Sequence, residues 1–141
     1  MHDKIRVVIV DDHQVIRQAW TLLFDTDKRF HVVAAIATAR EAVDSMTSLR
    51  PDVVLMDINM YPMNGFEATR LILEADPSRL IIGISANNYP GYAQKMLELG
   101  ARGFVTKSSP FDEITTAVVE VREGRTYVCQ EIRKTLSSPN G

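Results

Sequence analysis

Four consecutive apolar residues, Val53-Val54-Leu55-Met56, run without polar alternation straight into Asp57. A strand with that pattern has no face suited to water, which is the habit of a parallel sheet covered by helices on both sides. Parallel neighbours need long crossover connections, so such a chain has to alternate strands with helices. In sheets of this kind function gathers just past the carboxyl ends of the strands, where Asp57 stands. At 141 residues the chain reads as one domain, able to bury roughly 70% of the surface its unfolded form exposes. It needs no disulfide or metal staple.

The remaining segments obey the same alternation. Ile5-Arg-Val-Val-Ile-Val10 reads as a central strand, broken by Asp11-Asp12 and followed by helix-period apolar residues Val15, Ala19, Leu22 and Leu23. His31 to Ile36 is a second strand, and Ala39, Ala42, Val43 and Met46 form one helical stripe that ends before Pro51. The helix after Asp57 begins near Asn64-Gly65 and stops at Asp76-Pro77. Leu80 to Ile84 is a fourth strand, and the helix entered at Pro90-Gly91 ends at Gly100, a natural left-handed terminator. That helix has the least one-sided composition, which predicts low local stability. Gly103 to Thr106 is a fifth strand, followed by Lys107 and a helix with Ser109 as N-cap, Pro110 in its first turn, and Ile114, Ala117, Val118 and Val121 on one face.

The expected fold class is therefore α/β, a five-stranded parallel doubly wound sheet with five helices. The order 2-1-3-4-5 is taken from the general rule for five-stranded doubly wound proteins, not from particular residues. Residues 1–124 form the domain. Residues 125–141 are too short for another and read as a carboxyl-terminal extension that ends in linker-like Ser137-Ser-Pro-Asn-Gly141.

That order sets Asp11 and Asp12 beside Asp57. At about 4 Å and an effective dielectric near 20, each pair of such charges repels by about 4 kcal/mol, so the cluster calls for a cation or for raised pKa values. Carboxylate and carbonyl oxygens without soft ligands point to Mg²⁺. Ser85 and Lys107 end the fourth and fifth strands and open onto the same edge, adding a hydroxyl donor and a mobile positive charge. A metal, a carboxylate nucleophile and donors for phosphoryl oxygens are what in-line transfer of a phosphoryl group to Asp57 needs. The chain has no glycine-rich phosphate loop, so the phosphoryl group is expected from another protein or a small acyl phosphate.

With these residues in place, the stretch from about Ile5 to Gly124 resembles a response regulator receiver domain, of CheY-like (flavodoxin-like) fold. The matching residues are Asp11-Asp12, Asp57 in Leu55-Met-Asp-Ile-Asn-Met60 with Met63 and Gly65, Ser85-Ala86, Leu99 to Phe104, and Lys107. The resemblance implies that Asp57 accepts phosphate from a sensor histidine kinase. It implies that Asp11, Asp12, Asp57 and the backbone carbonyl of Asn59 hold Mg²⁺, that Lys107 and Ser85 bind phosphoryl oxygens, and that Ser85 and Phe104 move on switching. Slow autodephosphorylation, with Asn59 and Asn87 flanking the attacking water, would follow. Gly100 to Phe104 and the tail further resemble regulators of the NarL and LuxR kind, which carry a helix-turn-helix domain that this chain lacks. DNA would then be reached only through that missing domain, and self-association on phosphorylation is a further expectation. Two positions depart from the family: Tyr61 intervenes between Met60 and Pro62, and Ser108 stands where proline often follows the lysine. Without proline there, energetics favour a trans Lys107-Ser108 bond by about 3 kcal/mol.

Each residue also has an ordinary structural role. Asp12 can cap a helix, Ser85 can hold its own loop, Lys107 can be a solvated surface group, Phe104 can be core packing, and His13 reads as an exposed first-turn residue. His2 and His31 have no matching partners, and Trp20 and the methionines read as packing. An Mg²⁺-dependent phosphohydrolase would place a second acid where Asn59 stands, and a degenerate interaction module would have lost the acceptor residues present here. The composition, 45% hydrophobic and 24% charged with a formal net charge of -2, gives no basic excess for gripping nucleic acid. With one cysteine, Cys129, and no apolar run of membrane-spanning length, a reducing cytoplasm is expected.

Overall fold

The computed structural model describes residues 3–137. His2 and the last four linker-like residues, 138–141, lie outside them. The elements are β1 (Ile5–Val10), α1 (Gln14–Asp25), β2 (Phe30–Ile36), α2 (Ala39–Leu49), β3 (Val53–Asp57), α3 (Gly65–Ala75), β4 (Ile81–Ser85), α4 (Pro90–Leu99), β5 (Gly103–Thr106), α5 (Phe111–Arg122), β6 (Tyr127–Val128) and α6 (Gln130–Ser137). All neighbouring strands are parallel, in the order β2-β1-β3-β4-β5-β6. The order expected for the first five strands is present, but among the described residues there are six strands and six helices instead of five of each. The extra pair comes from the extension. Tyr127 and Val128 pair with Gly103 and Phe104, so the outer edge of β5 is covered by the chain's own next segment.

β3 and β4 are buried at every residue, as an unalternated apolar run in a two-sided parallel sheet must be. Helices α2 and α5 add mainly aliphatic side chains to the core, with Ala39, Ala42 and Met46 of α2 buried, Val43 packed against them, and Ile114, Ala117, Val118 and Val121 of α5 completely enclosed. Arg50, in the left-handed conformation, closes α2 before Pro51, and Gly100 does the same for α4. The start of α3 is a complete capping box between Asn64 and Glu67.

Two local expectations are corrected. In α1 the stripe of Val15, Ala19, Leu22 and Leu23 faces outward, with Val15 75% and Leu22 66% exposed. The buried face carries Trp20 and Phe24 instead, about a third of a turn round the helix. Aromatic rings bury more area and pack edge to face: Phe24 meets Phe111 at 4.8 Å and Phe30 at 5.2 Å between ring centroids. These contacts decide which side of α1 turns inward. Replacing Leu22 by serine is therefore expected to change the unfolding free energy by no more than about 0.5 kcal/mol in urea titration, and a larger loss would place Leu22 in the core. The second correction concerns α5, whose N-cap is Pro110, not Ser109. The Ser109 hydroxyl turns back to accept the Thr106 N–H at 3.3 Å, so it holds the turn before the helix.

Candidate functional site

β1 and β3 pair so that Val10 lies opposite Met56, and the next residues along, Asp11 and Asp57, emerge side by side at the carboxyl edge. Both are fully buried, whereas the Asp12 side chain is 42% exposed. Asp57 Oδ1 accepts the Asn59 N–H at 3.0 Å, and Asp57 Oδ2 lies 3.3 Å from the Lys107 ammonium. Lys107 Nζ also sits 2.8 Å from Asp11 Oδ2. That contact is ionic: Asp11 Oδ2 is a buried carboxylate oxygen without a properly directed hydrogen bond. Lys107 is positioned by sheet pairing, since Ser85 lies opposite Thr106 and the Lys107 N–H donates to the Ser85 carbonyl at 2.8 Å. The Lys107–Ser108 peptide is trans, as expected without proline, while Tyr61–Pro62 is cis.

The electrostatics follow from this arrangement. Burial pushes the Asp57 carboxyl above the ordinary range; the Asn59 N–H opposes this, the nearby Asp11 charge adds to it, and Lys107 offsets part. Burial pushes Asp11 up as well, but the Lys107 ammonium and the contacts from His13 outweigh it, and its pKa lies below the ordinary value. Two carboxylates and one cation this close titrate as a unit. Asp11 keeps its charge most readily, and Asp57 is the member that protonates first.

The sequence makes His13 an exposed first-turn residue, and its side chain is 61% exposed at the N-cap of α1. The structure nevertheless brings it into the cluster. Its N–H donates to Asp11 Oδ1 at 2.8 Å, and its Nδ1 lies 2.9 Å from the same oxygen, 3.2 Å from Asp12 Oδ1 and 3.1 Å from Lys107 Nζ. The ring nitrogen can donate to a carboxylate or accept from the ammonium, not both at once. The available signal was the two-residue spacing from Asp11, which is that of an Asx turn. One ligand atom from each of Asp11, Asp12, His13 and Asp57 falls within 4.8 Å of the others, so the group is able to hold a metal ion.

Ser85 is buried at the end of β4, its hydroxyl accepting the Asn87 N–H at 2.9 Å. Asn59 is exposed apart from the backbone bond to Asp57. Phe104 is wholly enclosed, packed toward Gly83 and Met96, and its carbonyl accepts the Cys129 N–H at 3.0 Å. Glu131, which sequence reasoning passed over, reaches the turn beside Lys107 from α6, accepting the Thr106 hydroxyl at 2.8 Å and the Ser108 hydroxyl at 3.1 Å. Nothing local marks it, because its partners are more than twenty residues away.

Two acids after β1, one after β3 and a lysine after β5 are thus a single cluster, and residues 7–119 match the model of the response regulator receiver domain. The chain belongs to the response regulator receiver family. Among its relatives, the transcriptional regulatory protein DegU of Brevibacillus brevis is 34% identical over 134 residues, which are 95% of this chain and 57% of that protein. Among solved structures, a LuxR-family two-component response regulator from Aurantimonas sp. SI85-9A1 superposes with a TM-score of 0.89 at 32% identity, covering 94% of each chain. The signal receiver domain of the response regulator NarL from Mycobacterium tuberculosis gives 0.83 at 29% identity, with 88% of this chain and 100% of that one covered. The receiver thus spans little more than half the length of DegU. Among its described residues no helix is long and apolar enough to cross a membrane.

Proposed function

We propose that this receiver is switched by transfer of a phosphoryl group from a phosphohistidine of a sensor histidine kinase to Asp57. The observation that carries the reading is a buried carboxylate with an ammonium 3.3 Å from one oxygen and a backbone N–H 3.0 Å from the other. In the step, an Asp57 oxygen bonds to phosphorus as the phosphorus–nitrogen bond breaks, and the imidazole leaves with the electron pair. Asn59 N–H and Lys107 orient the carboxylate, and Lys107 with the Ser85 hydroxyl would take up charge on the phosphoryl oxygens. Asp11, Asp12 and Asp57 would hold Mg²⁺, with the Asn59 carbonyl by family resemblance. The buried Asp11 Oδ2, which no hydrogen bond satisfies, fits that assignment. Bound there, the ion supplies positive charge to the developing phosphoryl oxygens.

Loss of the phosphoryl group to water, slowly and at the same pocket, belongs to the same reading, with the Asn59 and Asn87 side chains beside the approach. So do self-association on phosphorylation and, in a longer protein of the DegU kind, a receiver of residues 1–124 joined through 125–141 to a DNA-binding output domain. The central claim is tested by intact mass after exposure to acetyl phosphate and Mg²⁺. One phosphoryl group per chain is expected for the parent and none for Asp57→Asn. Equal uptake by the variant would show that the acceptor is a different residue.

A further inference from the structure

Residues 127–137 form an arm that is anchored at three places. β6 lies on the edge of β5, Cys129 and Ile132 are fully buried, and Glu113 of α5 accepts both the Tyr127 hydroxyl and the Gln130 N–H at 2.8 Å. The third anchor is Glu131. Its Oε1 accepts from Thr106 and Ser108, the residues on either side of Lys107. The Thr106 hydroxyl first, then Ser108 and, least, Asn88 of the loop that leaves β4 after Ser85 hold the Glu131 carboxyl below the ordinary carboxylate range. Thr106 is buried, and its hydroxyl is also within 3.0 Å of Ser109 and 3.2 Å of Ser108, so one carboxylate organises the whole hydroxyl cluster of this turn. A first-turn glutamate would suit the α6 dipole while pointing into solvent. Here it instead grips the turn that carries Lys107, one of the residues assigned to phosphoryl oxygens.

We propose that Glu131 is a positioning residue for Lys107, and that through it the arm is coupled to the state of Asp57. Movement of Lys107 toward a phosphoryl group displaces Thr106 and Ser108 from Glu131, which loosens the arm. The inference rests on the phosphoacceptor reading of Asp57. Coupling is reciprocal, so an arm freed of the clamp favours the loaded site.

Cys129 is the only cysteine of the chain and is buried within the arm, so its reaction with Ellman's reagent reports arm opening. The parent, Glu131→Ala and Glu131→Gln are compared with and without beryllofluoride and Mg²⁺, and phosphate uptake from acetyl phosphate is followed in parallel by intact mass. Loading is expected to speed Cys129 labelling several-fold in the parent. Unloaded Glu131→Ala should already label at about the loaded parent's rate and should bind beryllofluoride several-fold more tightly. Glu131→Gln, which keeps an acceptor oxygen, should fall between. A merely structural role would speed labelling in the variants yet leave its response to loading and the beryllofluoride affinity unchanged, and that result overturns the coupling. So does a parent that takes up phosphate while its Cys129 rate stays the same or falls. Absence of any mass gain instead removes the phosphoacceptor reading, and the coupling with it.

Discussion

Replacing Lys107 by methionine is expected to lower phosphate uptake from acetyl phosphate by about 100-fold or more and to destabilise the fold by about 3–5 kcal/mol at neutral pH. Lys107 is 12% exposed and is the ammonium that sits between two fully buried carboxylates, 2.8 Å from Asp11 and 3.3 Å from Asp57. Methionine preserves the apolar stem but leaves two enclosed negative charges facing each other. Truncating one member of a buried ionic group costs the desolvation of what remains, which is why the loss exceeds that of a surface ion pair.

The pH dependence of that loss distinguishes it from a packing defect. Asp57 has a folded pKa above its unfolded one, so its ionised form costs stability at neutral pH, a cost removed as pH falls through the raised value. Asp11 has a lowered pKa, and its contribution is present above the ordinary carboxylate range and lost as pH falls through that lowered value. Without Lys107 the main support for the Asp11 charge is gone, and both acids then favour the proton. The deficit of Lys107→Met relative to the parent is accordingly greater at pH 7 than at about pH 4, because falling pH lets the variant's buried carboxyls take up protons. Urea titrations of both proteins at the two values check this, and a deficit independent of pH would assign the loss to packing. Excess Mg²⁺ at pH 7 should also restore part of the variant's stability, because it supplies the missing positive charge.

What could be read from the residues, and what could not, divides along physical lines. The bounds of β1, the end of β3 at Asp57, the β5 segment and the Gly100 stop were legible because unalternated apolar runs and a left-handed terminator act locally. The convergence of Asp11, Asp57 and Lys107 followed once parallel order was assumed. The face of α1 was misjudged because apolar periodicity does not weigh a tryptophan and a phenylalanine against smaller residues, and the decision lay with Phe30 and Phe111 elsewhere in the chain. β6 escaped because two residues show no period, and its pairing depends on the free edge of β5. Ser109 has the chemistry of a cap, but a competing acceptor position, the Thr106 N–H, took its hydroxyl. His13 and Glu131 join the site through contacts that only the folded chain creates.

Gly65→Ala is expected to cut phosphate uptake by at least ten-fold and to destabilise the protein by about 1–3 kcal/mol, against the usual gain of up to about 1 kcal/mol from replacing a helical glycine. Gly65 opens α3 with a φ outside the left-handed region, so the issue is space and not backbone conformation. A Cβ there would run into the carbonyl oxygen of Asp57 and would lie 2.7 Å from the Cα of Ile58. These are main-chain atoms and cannot rotate aside. Nor can α3 readily retreat, because the Asn64–Glu67 capping box and the Gly65 N–H to the Ile58 carbonyl at 3.2 Å hold its first turn in place. The segment that must yield therefore includes the residue bearing the reactive carboxylate and the peptide leading to the Asn59 N–H that orients it. Displacement of a reacting group by about 1 Å costs on the order of 100-fold in rate, so a shift of a fraction of that distance suffices for the predicted loss. Gly124→Ala is the control: its φ of +92° makes alanine strained, but nothing lies within 4 Å of the added carbon. It should lose about 1–2 kcal/mol while taking up phosphate at the parent's rate. Uptake rates from acetyl phosphate with urea titrations of both variants decide the matter. Parental uptake by Gly65→Ala would mean that the chain beside Asp57 can yield without moving its carboxylate.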